Sequence, residues 1–294
     1  MRALRISRMI PVAFICIICL SGCAHNRDFS GIKIENSDSV IRTIRSTMLN
    51  RSAATIISFD ARTLDEKGIE RTADKLIKAS FYESDDPKGG DYLRYQYGGY
   101  ELRYKTEKKL FKYRYTLRIS PVYYTDKKME QKVDELIPDI IGSLALDEDA
   151  GDQEKVRAVC DLIKDTVEYD TVHMHQPGDN HIQYTAYGAL IYHTALCQGY
   201  AVLCYRLLKE LNVDTRVVTG TTSVLGQDMK HAWNIVRIDD KYYNLDITLD
   251  DVRGGDEYFL RSDAAFEKDH TRDDEFLTDD FIRAYPISTE DHSG

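Results

Sequence analysis

Residues 194–213, TALCQGYAVLCYRLLKELNV, and residues 231–248, HAWNIVRIDDKYYNLDIT, decide the fold. In the first stretch Tyr200, Leu203, Cys204, Leu207, Leu208 and Leu211 recur at helical spacing, which predicts an amphipathic helix with one buried stripe. Cys197 falls three residues before Tyr200, on that stripe and in the first turn. A thiol there sits at the positive end of the helix dipole, so its thiolate is expected to be favoured. Cys204 shares the stripe two turns deeper and reads as core. The second stretch is two β-patterned runs, 231–238 and 241–248, separated by Asp239-Asp240. A two-residue turn pairs residue 238 with 241, which sets Asp246 opposite Trp233 and leaves His231 two residues away on the same face.

A nucleophile at a helix start, an imidazole on a strand and a carboxylate beside it are the parts of a thiol catalyst. The imidazole takes the thiol proton, and the carboxylate fixes its tautomer and stabilises the imidazolium. Each residue alone has a plainer explanation, as core cysteine, satisfied histidine or strand-end aspartate. Their joint placement carries the chemistry.

On TAYGALIYHTALCQGYA (185–201) and KHAWNIVRIDDKYYNLDITLDD (230–251) the chain closely resembles the transglutaminase-like superfamily. The likeness is tight over 187–251 and looser over 152–275, where Tyr169-Asp170 and DEYFLRSDAAFEKDHTRDD (256–274) also fit. It implies a papain-like fold with Cys197 as nucleophile, His231 as general base and later acid, and Asp246 as orienting residue. Members commonly carry Gly in the hairpin turn and Pro and Trp just after the aspartate; here Asp240, Ile247 and Leu249 stand there. The backbone N–H of Cys197 is an oxyanion donor by its helix position. Gln198 and Tyr187 are side-chain candidates for the same role, and Trp233 is a candidate cleft residue. Tyr187 matches a tyrosine common before the family's cysteine, although packing explains it equally well.

The expected fold is α+β: a papain/transglutaminase-like core, its Cys-bearing helix packed on an antiparallel sheet, preceded by a smaller α+β N-terminal domain. The boundaries are 1–22 for a signal peptide, 23–37 for a lipidated tether, 38–125 for the N-terminal domain and 126–288 for the transglutaminase-like domain. Apolar spacing predicts helices over 40–49, 63–79, 127–146 and 154–167, and a strand over 53–59. Cys160 lies on the buried face of the 154–167 helix and reads as core. The tyrosine-rich block reads as three antiparallel strands, YLRYQY (92–97), YELRY (100–104) and LFKYRYTLRI (110–119), the first two joined at Gly98-Gly99. Its Tyr, Arg and Lys admit a ligand-binding reading, but half-buried strands are where tyrosine commonly sits.

The N-terminus carries Arg2, Arg5 and Arg8, then an apolar run from Met9 to Leu20, then Leu20-Ser21-Gly22-Cys23. This is a secretory leader pattern whose end resembles the lipobox of bacterial lipoproteins, with Cys23 as the lipidated residue. An extracytoplasmic, membrane-anchored lipoprotein is expected. Removing 1–22 moves the net charge from −10 to −13, since the segment holds three arginines and no acid. That balance argues against nucleic acid as a partner. Cys160, Cys197 and Cys204 remain after the anchor, too few for a disulfide framework.

Two rival sites are weighed. His173, His175 and His181 could hold zinc, but their spacing is loose and the segment reads as loop. Asp250, Asp251, Asp256 and Glu257 lack the glycine-punctuated spacing of a calcium loop. No cofactor or metal is required by the expected chemistry, acyl transfer through a Cys197 thioester on protein or peptide substrates. Water as acceptor makes a peptidase or amidase, and an amine makes a crosslinking transglutaminase; the missing calcium pattern leans the reading towards hydrolysis. The alternative is a catalytically weak surface binding module on the same fold. Cell-wall peptide as substrate fits the expected location.

Overall fold

The computed structural model describes residues 2–3, 28–29, 32–33, 37–175, 181–224 and 228–292, with the side chains of residues 2–3, 28–29, 32–33 and His175 outside that set. Cys23 and nearly all of the expected leader lie outside the described residues. The chain divides into two compact units, Met1–Tyr82 with Tyr97–Tyr123, and Glu83–Gln96 with Tyr124–Gly294. Among the described residues no helix is long and apolar enough to cross a membrane.

In the first unit α1 (Ser37–Leu49) buries Ile41, Ile44 and Met48, and α2 (Glu66–Ser80) buries Ile69, Ala73, Leu76 and Ile77. Asp65 caps α2, its carboxylate accepting the Gly68 N–H at 2.7 Å. Strand β1 (Thr55–Ala61) pairs antiparallel with β3 (Tyr113–Tyr123), and β3 pairs with β2 (Tyr97–Lys108). Arg2–Ala3 adds a two-residue edge against Arg103 and Tyr104. Alternation gives the sheet one buried face, with Ile57, Phe59, Leu102, Tyr115, Leu117 and Ile119, and one open face.

The Tyr-rich block departs from the expected strands. YLRYQY is not a strand: Gly90–Tyr95 forms a short helix, α3, belonging to the second unit. Its tyrosines alternate with polar residues, so it fits either period, and burial of Tyr92, Leu93 and Tyr95 together decides for the helix. Gly98-Gly99 is no turn either. It marks a register shift inside β2, with Gly99 at φ 122°, where a side chain would be strained. The hairpin turn falls at 109–112 instead, closed by the Lys109 N–H on the Lys112 carbonyl at 2.8 Å.

The second unit is mixed α+β. Helices α4 (Lys127–Ser143) and α5 (Asp152–Thr166) flank α6 (Cys197–Glu210), whose residues from Gly199 to Leu208 are all buried. A Cβ at Gly199 would lie 2.7 Å from the Gln183 carbonyl, so a glycine is needed for the N-terminus of α6 to come this close to 183–195. Cys160 and Cys204 sit in this core, and burial pushes both thiols well above the ordinary value. The sheet runs β6–β5–β4–β7, all antiparallel, from β4 (Thr215–Thr222), β5 (Met229–Ile238), β6 (Lys241–Leu245) and β7 (His270–Arg272). Helix α6 packs on β5 and β4. Trp233, Ile235, Val218 and Tyr242 form a second cluster with Phe266, Phe276 and Phe281.

The β5–β6 hairpin has a two-residue turn, pairing Ile238 with Lys241 and Asn234 with Leu245. Asp239 takes the left-handed conformation at φ 54°, and Arg237 braces the turn through the Asp239 carbonyl at 2.9 Å. Ile247 and Leu249, where the family commonly has Pro and Trp, are both buried at the start of α7 (Ile247–Arg253) rather than lining a cleft.

Residues 83–96 fall in the expected N-terminal domain by sequence, yet they fold with the second unit. The reason is a buried charge cluster. Asp91 takes the Arg216 guanidinium at 2.7 and 3.1 Å and the Val217 N–H at 2.9 Å. Glu83 accepts the Asp91 N–H at 2.9 Å and the Tyr205 hydroxyl at 2.7 Å. Burial first, and the Asp91 charge second, push Glu83 up to about 7 despite Arg216 nearby. An acid whose pKa is raised on folding loses stability as pH climbs from its unfolded value to its folded one. Glu83→Gln should therefore raise Tm at pH 8 while changing it little at pH 4.5, with a gain of up to about 3 kcal/mol at the alkaline end. Thermal melts at the two pH values read this directly, and equal shifts at both would show that Glu83 is not protonated by the fold.

Candidate active site

Three elements converge on one imidazole. His231 lies near the start of β5, Asp246 ends β6 and Cys197 opens α6. His231 Nε2 lies 2.6 Å from Asp246 Oδ2, with both side chains buried. With Nε2 committed to Asp246, Nδ1 is the nitrogen left for a second partner, and the Cys197 sulfur is near enough to raise the ring's pKa. Cys197 itself is half-buried, unlike the fully buried Cys160 and Cys204. The structure thus brings all three sequence-predicted residues together.

The electrostatics follow from this arrangement. Burial alone would lower the pKa of His231, but the Asp246 carboxylate and the Cys197 sulfur outweigh it and hold the imidazole well above its ordinary value. Burial alone would likewise raise Asp246; the His231 charge and hydrogen bond, then those of His270, hold it well below the usual carboxylate range. A persistent imidazolium is the counter-ion that a thiolate at Cys197 needs. Asp250, one turn into α7, is pushed up to about 7 by burial, so near neutrality it carries only part of its charge beside Asp246.

His270 is the residue that sequence reasoning missed. Its Nε2 lies 3.2 Å from the same Asp246 oxygen that His231 uses, and its Nδ1 lies 2.7 Å from Asp269 Oδ1. The ring stacks on Phe266 at 3.9 Å and meets Trp233 edge-on at 5.1 Å. Asp269 in turn accepts the Tyr258 hydroxyl at 2.8 Å. The histidine arrives through β7, where His270 pairs with Thr222 of β4. Gly220 makes that pairing close: a Cβ there would lie 2.0 Å from the Thr271 carbonyl. The signal in the sequence was a single His in KDHTRDD, with no local spacing to tie it to Asp246.

The other candidates take different places. Gln198 spends its amide N–H groups on the Tyr95 and Tyr184 carbonyls, at 2.7 and 3.2 Å, so it anchors backbone and has no donor left for an oxyanion. Tyr187 packs at the rim of the core with its ring edge-on to Tyr192. The tyrosines that sense Cys197 are Tyr169 and Tyr184, whose pKa values are raised by burial and then by the sulfur's charge. Trp233, at 1% exposure, is a buried wall rather than a cleft residue; its indole stacks near His231 and donates to Asn244 Oδ1 at 3.3 Å. The backbone N–H of Cys197 belongs to a first turn whose cap, Leu196, makes no side-chain bond, which leaves it among the free donors of a helix start.

Of the histidines weighed for zinc, His175 has its side chain outside the described residues, and the other two, like the acids weighed for calcium, have protein partners. His173 pairs with Asp170 at 2.6 Å, and His181 packs against the Tyr124 and Tyr184 rings. Asp251 accepts the Tyr200 hydroxyl, while Asp256 pairs with Arg157 and Lys164 and Glu257 with Arg253. One set of three donors within 4.8 Å of one another could hold an ion, His231, Asp246 and His270, and each of its atoms already serves a hydrogen bond of the site.

The sequence profile of the transglutaminase-like superfamily matches residues 143–247. This stretch of the chain belongs to that superfamily. A solved structure described as a TGase is 16% identical, covers 66% of this chain and 51% of its own, and superposes with a TM-score of 0.35. A candidate cysteine protease from Cytophaga hutchinsonii is also 16% identical, covering 50% of this chain and 62% of its own at a TM-score of 0.33. A candidate protease from Parabacteroides distasonis is 12% identical, covering 49% and 35% at a TM-score of 0.28. The chain therefore spans between about a third and three fifths of the length of these structures. No curated protein matches it.

The transglutaminase-like site predicts a role for His270 that a pH profile can read. His270→Phe keeps the ring stacking but removes one donor from Asp246, so the carboxylate should protonate at higher pH. The acid limb of Cys197 reactivity should then move up by about one pH unit. His270→Gln, which retains an N–H, should recover part of the shift. An acid limb unchanged in both well-folded variants would reduce His270 to packing.

Proposed function

We propose that this protein is a surface-anchored cysteine acyl-transfer enzyme that cleaves amide or peptide bonds through a thioester on Cys197. The observation that carries the reading is His231, paired with a buried carboxylate at 2.6 Å and near Cys197, the only one of the three described thiols that is not fully buried. The superfamily match supports a cysteine-dependent enzyme.

The geometry supports the following steps. The Cys197 thiolate attacks the carbonyl carbon, and the carbonyl π electrons move to oxygen. That oxyanion is met by the Cys197 N–H at the start of α6, where the helix dipole also favours negative charge. The His231 imidazolium donates its Nδ1 proton to the departing amine, the C–N bond breaks, and a thioester remains. Neutral His231 then takes a proton from the acceptor, which attacks the thioester and releases Cys197. Through both halves Asp246 stays ionised and holds Nε2–H, which keeps Nδ1 directed at the reacting atoms.

Water as acceptor makes the protein a peptidase or amidase, and a lysine-like amine makes it a crosslinking enzyme; the proposal leans to hydrolysis. Anchoring through a lipid on Cys23 would set this chemistry outside the cytoplasm, where protein and cell-wall peptides are the available substrates.

Incubation with an activated peptide ester should give an acyl adduct on Cys197, seen by intact mass and mapped by proteolysis. Cys197→Ala should abolish the adduct and lower turnover at least about a thousandfold with an unchanged melting temperature. Full turnover in that variant would remove the thioester from the mechanism. The ratio of hydrolysed to amine-coupled product in the wild type then names the acceptor.

A further inference from the structure

The β2–β3 hairpin of the first unit runs against the charge of the whole chain. Residues 103–118 hold Arg103, Lys105, Lys108, Lys109, Lys112, Arg114 and Arg118 against Glu107 alone, a net charge of +6 in a protein of −10. Two acids temper it. Asp60 pairs with Lys112 and Arg114, and Glu107 with Lys105 and Lys109. Arg103, Lys108 and Arg118 are exposed and make no ion pair among the described residues. Arg103 stands directly opposite Arg118 across the two strands, a like-charge pair that weakens a sheet unless an anion offsets it.

At the turn the hairpin presents Leu110 and Phe111, 86% and 90% exposed. Single exposed apolar residues are ordinary, but two adjacent bulky ones at a turn, ringed by lysines, are the pattern of a segment that enters a bilayer interface. The lysines meet anionic headgroups while the apolar pair reaches the acyl boundary. A soluble anionic polymer would satisfy the charges and leave both apolar side chains in water.

We infer that the 108–113 turn is a membrane-docking tip that inserts Leu110 and Phe111 into an anionic lipid surface. It is independent of the chemistry at Cys197 and of any acyl chain on Cys23, and it gives a role to a region outside the superfamily match.

The sole native tryptophan, Trp233, is buried, so Phe111→Trp in the full chain makes a local reporter. With vesicles containing phosphatidylglycerol its emission should shift to the blue and be quenched by brominated acyl chains. Pure phosphatidylcholine vesicles should produce neither effect, and about 0.5 M salt should weaken both. Lys108→Glu with Lys109→Glu in the same background should weaken the association about tenfold or more. Water-like emission with every vesicle would overturn the inference, as would equal quenching on neutral and anionic lipid. Charge-dependent binding of polyphosphate, with no blue shift on any vesicle, would also overturn it and make the hairpin a polyanion site.

Discussion

Burying an ionised carboxylate is among the most expensive things a fold can do, and Asp246, at 1% exposure, is such a carboxylate. Its oxygens are met by three donors. Oδ2 faces His231 and His270, at 2.6 and 3.2 Å, and Oδ1 caps α7 through the Leu249 N–H at 3.1 Å. One side chain therefore fixes the end of β6, the start of α7, the orientation of the imidazole on β5 and the placement of β7. Losing any one donor would leave the charge less compensated in a place water does not reach. The reactive geometry around Cys197 rests on that compensation.

A second buried charge system ties the same unit together further from the sulfur. Arg216 on β4 is gripped by Asp91 and lies 4.6 Å over the Tyr285 ring, while Glu83 links Asp91 to Tyr205 of α6. Segment 83–96 is held there, and it supplies the Tyr95 carbonyl that accepts from Gln198, the residue after the nucleophile. The position of the α6 start is thus shared between backbone packing at Gly199 and a polar tie through Gln198.

The parts of this arrangement that were legible in the sequence are those set by local periodicity. The Asp239-Asp240 turn fixes the β5–β6 register, because a two-residue connection leaves no slack, and that register brings His231 and Asp246 together. The stripe from Cys197 to Leu211 defines α6 in the same way. What was not legible depends on contacts distant in the chain. His270 is delivered by strand pairing with Thr222, and no spacing rule connects it to Asp246. YLRYQY fits two periods, and only its burial with Asp91 on Arg216 chooses the helix. Gln198 follows the cysteine, yet its amide is claimed by two carbonyls brought in from residues 95 and 184. The hairpin carrying Leu110 and Phe111 was visible as alternation, but its turn was misplaced at a glycine pair that forms a bulge.

The measurement that bears most directly on the central claim is the rate of alkylation at each thiol across pH 5–9, resolved by mass spectrometry. Cys160 and Cys204, buried in the core, serve as internal references. The account predicts that Cys197 reacts at pH 6 at least about a hundredfold faster than either, and that His231→Ala removes most of that advantage. Equal rates at the three thiols, or a fast Cys197 indifferent to His231, would contradict a thiolate–imidazolium pair held by Asp246.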